Sequence, residues 1–170
     1  MELEKPVSFE NHIQPVCLYR PDLNFHTGEE CWVVGWGHTK WGGTKPAKLN
    51  YAKVRLISKQ MCNSNKSYNG TIHNTALCAG FPKGGVDSCE YDSGGGLVCK
   101  RCDQYYLLGL VSWGHECARP WKFGVYTNMV VLTSWVQETI RNVVAKNQRQ
   151  KPKLSKNSTV KPSSKLTSAS

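Results

Sequence analysis

Apolar residues in this chain fall into short runs rich in valine, tyrosine, tryptophan and leucine, separated by polar stretches dense in glycine, asparagine and lysine. The runs Cys31–Gly35, Ala52–Ile57, Ala76–Ala79, Gly96–Cys99, Tyr105–Trp113 and Gly124–Thr127 have the length of strands. Branched and aromatic side chains suit a pleated, half-buried surface, so each run is predicted as a strand. Gly42-Gly43, Asn69-Gly70 and Gly84-Gly85 punctuate the loops, because glycine reaches backbone angles closed to other residues. Short strands with such punctuation predict an all-β barrel or sandwich. The period then changes. Leu132, Trp135, Val136, Ile140, Val143 and Val144 recur at helical spacing, and Ser134 with Gln137 offers a capping box. A helix over 133–146 follows. Residues 147–170 carry lysine, serine, asparagine and proline with almost nothing to bury, and predict a disordered tail. No internal repeat is visible.

The 170 residues bound the chain to one domain or two small ones. The net charge of +10 is uneven: up to Ile140 there are 14 Lys and Arg against 12 Asp and Glu. The remaining eight basic residues, from Arg141 onward, face no acid. High basicity therefore describes the tail, not a binding face. With no aromatic interleaving there, no nucleic-acid partner is expected. Eight dispersed cysteines favour disulfides and an oxidising, extracellular location. Yet M-E-L-E-K-P opens the chain without an apolar signal segment, and no run reaches transmembrane length. One explanation of the two together is that the chain is a piece of something longer. Reading C-K-R-C at 99–102 as half a zinc site needs a second ligand pair, and none is present; no metal or other cofactor is expected.

One stretch carries chemistry. D-S-C-E-Y-D-S-G-G-G-L-V-C at 87–99 presents Ser93 between an aspartate and three glycines. A serine hydroxyl is a weak nucleophile until a base takes its proton, so the stretch alone decides nothing. In order around it stand I-Q-P-V-C-L at 13–18, C-W-V-V-G-W-G at 31–37, M-C-N at 61–63 and L-C-A-G-F at 77–81. L-V-S-W-G at 110–114 and F-G-V-Y-T at 123–127 follow. Together, over residues 3–142, these segments resemble the trypsin-like serine proteases of the chymotrypsin fold. The resemblance covers only the second half of that family's domain. It implies a single six-stranded antiparallel barrel with a C-terminal helix. Residues 1–27 would be the last strand of a first barrel and a linker, 28–146 the second barrel and helix, and 147–170 the tail.

The resemblance also implies roles. Ser93 stands at the nucleophile, the N–H groups of Tyr91 and Ser93 at the oxyanion hole, and Asp87 at the floor of a pocket for Arg or Lys. Ser88, Ser112, Trp113, Gly114 and Gly124 would line that pocket, the two glycines leaving its walls open. It pairs Cys31 with Cys99, Cys62 with Cys78 and Cys89 with Cys117. Cys17 matches a cysteine that in relatives bonds an upstream segment, and Cys102 has no family partner. The family's catalytic histidine and aspartate have no counterpart here, and neither His38 nor His115 stands where that base stands. Tyr91 replaces a glycine whose backbone freedom shapes the oxyanion hole. Gly96 replaces a proline. Asp92 matches the partner of a new N-terminal amine, and is expected to be an unpaired, part-buried carboxylate. The sequons at Asn65, Asn69 and Asn157 are acceptors if the chain is secreted. Three readings compete. One is a truncated, catalytically inactive homologue that binds a polypeptide with exposed Arg or Lys. Another is an endopeptidase cleaving after Arg or Lys, with histidine and aspartate supplied upstream, and the third a translated remnant without function.

Overall fold

The structure, a computed structural model, describes residues 3–150; Asn157 and the tail from 151 to 170 lie outside the described residues. Among the described residues seven strands form: β1 (Cys17–Leu18), β2 (Glu30–Gly35), β3 (Asn50–Ile57), β4 (Ala76–Gly80), β5 (Gly96–Arg101), β6 (Gln104–Trp113) and β7 (Gly124–Asn128). Two helices accompany them, α1 (Lys59–Cys62) and α2 (Met129–Gln150). The neighbour order β6-β5-β2-β3-β4-β7 closes through a β6–β7 ladder into a barrel of six antiparallel strands. Each run picked out by its apolar pattern became a barrel strand. The extra strand, β1, comes from residues 1–27, the segment expected to hold the last strand of a first barrel and a linker, and pairs in parallel with Tyr106 and Leu107 of β6.

The helix starts four residues earlier than its periodicity indicated. Asn128, not Ser134, caps it, its Oδ1 accepting from the Val130 N–H at 3.1 Å. It also ends later, at Gln150, four residues into the segment assigned to the tail. The barrel with the start of α2, to Val136, forms one compact unit, and α2 from Gln137 belongs to another. The single turn of α1 was not foreseen, although Ser58 marks its start by accepting from the Met61 N–H.

Alternation along the strands sends one side of each inward. Val33, Val54, Ala79, Leu97, Leu108 and Tyr126 form the main core, all nearly inaccessible. A second cluster of Ile72, Phe123 and Val125 gathers beside α1. Three disulfides fasten these layers: Cys31–Cys99 across β2 and β5, Cys62–Cys78 from α1 to β4, and Cys89–Cys117 between two loops. Each such crosslink contributes about 2–4 kcal/mol, mainly by restricting the unfolded chain. Cys17 and Cys102 are free thiols. Among the described residues no helix is long and apolar enough to cross a membrane.

Candidate active site

Two consecutive tight turns present Ser93. The Asp92 N–H donates to Cys89 O at 3.1 Å, and the Gly95 N–H donates to Asp92 O at 2.9 Å. The loop is stitched to β6 on both sides of Val111, which accepts from the Gly94 N–H and donates to Gly95 O. Ser93 is thus held on a short rigid arch with its side chain exposed. Tyr91 occupies the third position of the first turn at φ 72°. That turn position requires positive φ and ordinarily takes glycine. The tyrosine adopts the strained conformation, and its ring compensates by resting 4.8 Å from the His38 ring and 3.8 Å beneath Lys45 Nζ. Among the described residues, neither the Tyr91 N–H nor the Ser93 N–H donates a hydrogen bond.

Below the arch lies a cavity of about 140 Å³ lined by Asp87, Ser88, Ser93, Ser112, Trp113, Gly114 and Gly124. The fold therefore gathers every residue assigned to the pocket. The β6–β7 register slips between Val111 and Trp113, and this bulge leaves Ser112 and Trp113 exposed at the cavity. The two glycines have different duties. A Cβ on Gly114 would meet nothing closer than 3.5 Å, so a methyl there makes only ordinary contacts. A Cβ on Gly124 would lie 2.4 Å from Asp87 Oδ1, so Gly124 makes room for the carboxylate itself.

Asp87 is the most perturbed acid here. Burial raises its pKa to about 6, against the opposing pull of N–H bonds from Ala118 (3.2 Å) and Ser88 (2.8 Å), with Asp92 pushing up slightly. Burial first, then the Asp87 charge, also raises the pKa of the Tyr126 phenol, which lies 3.3 Å from Ser88 Oγ. A carboxylate whose folded pKa exceeds its unfolded value stabilises the fold while protonated. Its contribution is present below about pH 4 and is lost as pH rises through about 6. Asp87→Asn is therefore expected to flatten the decline in stability between pH 4 and 6, a decline of up to about 3 kcal/mol, as read by urea melts.

Asp92 corrects the sequence reading. Its carboxylate is not unpaired: Oδ1 accepts from the Gly37 N–H at 2.8 Å and Oδ2 from the Cys89 N–H at 3.0 Å. The G-W-G at the end of β2, residues 35–37, makes this possible, because Cβ atoms on Gly35 and Gly37 would lie 1.9 and 2.4 Å from Asp92 atoms. A second cavity of about 440 Å³ adjoins both Asp87 and Asp92. Sequence reasoning also missed Trp41, Glu90 and Glu116, which line the smaller cavity. Glu90 is tied to the 38–42 loop, 2.8 Å from His38 Nδ1 and accepting from the Gly42 N–H. Glu116 pairs with Arg119. Tyr68 supports the far wall by donating to Phe123 O at 2.7 Å and meeting Trp113 edge-on.

Among the described residues, no cluster of His, Cys, Asp and Glu could hold a metal ion. The arrangement can present a hydroxyl, two N–H donors and a buried carboxylate to one ligand. The sequence matches the family model described as Trypsin over residues 1–136. With most of its length so matched, and with this closed barrel and its three disulfides, the chain belongs to the trypsin family.

Proposed function

We propose that this chain is a catalytically inactive serine protease homologue whose Asp87 cavity binds a basic side chain of a polypeptide. The observation that carries the proposal is at Ser93. Among the described residues, no histidine or carboxylate hydrogen-bonds its hydroxyl, and His38 is engaged with Glu90 instead. Without a base the hydroxyl stays protonated and the rate falls by about 10⁶-fold in a related triad. Tyr91 adds a strained residue at one oxyanion donor. The Asp87 carboxylate meanwhile offers a buried charge matched to a guanidinium or ammonium group. Family and disulfides fit an extracellular protein.

A second reading is an endopeptidase cleaving after Arg or Lys, its histidine and aspartate brought by a separate segment that the Cys17 thiol could bond. The unbonded N–H groups of Tyr91 and Ser93 favour it. A fluorophosphonate probe, applied to the natural protein isolated without reducing agent so that any segment bonded through Cys17 is retained, separates the two. The first reading expects Ser93 to stay unlabelled, in wild type and in Tyr91→Gly alike. Robust labelling that vanishes in Ser93→Ala would overturn it in favour of the second.

A further inference from the structure

We propose that Asn65 carries an N-linked glycan whose first sugar seats on the Met61–Trp121 surface. This rests on the extracellular reading and not on the state of Ser93. Asn65-Lys66-Ser67 is a sequon, and the turn after α1, closed by the Ser67 N–H on Ser64 O, holds Asn65 exposed. Asn65 itself lines an open groove of about 670 Å³, a size that takes a small organic ligand. The rest of the lining is Ser58, Gln60, Met61, Ser64, Lys66 and Trp121.

That lining has the chemistry of a sugar seat. A pyranose has an apolar C–H face and a polar rim; Met61 and the Trp121 indole offer apolar surface, and Gln60 and Ser58 offer hydrogen bonds. Ser64 contributes to the groove wall as well, although its hydroxyl is turned into the protein. Trp121 is held in place at φ 61° by its N–H bond to Pro82 O and its edge contact with Phe123.

The group donor is a lipid-diphosphate-linked oligosaccharide of the secretory pathway. The Asn65 Nδ2–C1 bond forms as the C1–O bond to the diphosphate breaks. One amide proton is lost and the lipid diphosphate leaves with the bonding pair. The Ser67 hydroxyl, which the transferring enzyme must read, is buried in the folded barrel. Transfer therefore precedes closure of this loop by Cys62–Cys78.

The test uses the full chain, secreted from a mammalian cell behind a cleavable leader. Enzymatic deglycosylation in ¹⁸O-water, followed by peptide mass spectrometry, is expected to mark Asn65 as ¹⁸O-aspartate. Trimming to a single N-acetylglucosamine should leave the melting temperature about 2–4 °C above that of an Asn65→Asp variant. Trp121→Ala should abolish the difference while keeping the glycan. An unmodified Asn65 would overturn the proposal. Marking at Asn69 alone would do so while leaving the extracellular reading intact. A glycan at Asn65 whose stabilisation survives Trp121→Ala would overturn the seat.

Discussion

Asp87→Asn is expected to weaken binding of benzamidine to the full chain by about 100-fold at pH 7.5, measured by calorimetry. An amidinium loses its charge-assisted bonds to the carboxylate, while the substituted side chain keeps nearly the same volume. Removing one side of a buried charge pair costs about 2–5 kcal/mol, a range that spans the roughly 2.7 kcal/mol that 100-fold requires. Wild-type affinity carries its own signature. With the carboxyl pKa raised to about 6, the ionised fraction grows about tenfold between pH 5 and 7, and affinity should rise with it. The substituted chain should show no such slope. Equal affinity in both proteins would end the assignment of Asp87 as a cation-binding floor, whatever the state of Ser93.

Gly35→Ala should be severely damaging for a single-methyl change, lowering stability by about 3 kcal/mol in urea melts. Its new methyl would fall 1.9 Å from Asp92 Oδ1, and something must shift. The carboxylate cannot retreat without giving up the Gly37 and Cys89 N–H groups that balance its charge. Two penalties thus combine, steric and electrostatic. Gly114→Ala, with ordinary contacts only, serves as the comparison and should change stability little. A mild Gly35→Ala would mean that the Asp92 loop moves easily, and that the arch under Ser93 is softer than its hydrogen bonds indicate.

The apolar pattern located the barrel because each strand hides one face, and hiding is written in residue type. Elements held by one capping group were harder to find. The α1 turn rests on Ser58, and the start of α2 on Asn128, where a lone hydroxyl or amide among many carries no periodic signal. At the site, resemblance assembled Asp87, Ser88, Ser93, Ser112, Trp113, Gly114 and Gly124, and the fold places all of them around one cavity. The neighbours it missed come from distant segments. Trp41 and the His38–Glu90 pair lie across the 38–45 loop, and only folding brings that loop to residues 89–91. The error over Asp92 has the same origin. A side-chain partner was sought in the sequence, whereas the partners are backbone N–H groups, which every residue but proline carries.

The two residues of β1 have a consequence for self-association. β5 occupies one edge of β6 from Gln104 to Leu110, and β7 reaches the other edge only from Gly109 onward. Between these, β1 lies along Tyr106 and Leu107. Were it displaced, β6 would offer a short open flank of backbone donors and acceptors beside exposed Tyr105. Such a flank recruits any passing strand, and the nearest supply is another molecule of the same chain. Two residues at the margin of the sheet thus act as a selvage, keeping the weave of the barrel from being continued by its neighbour.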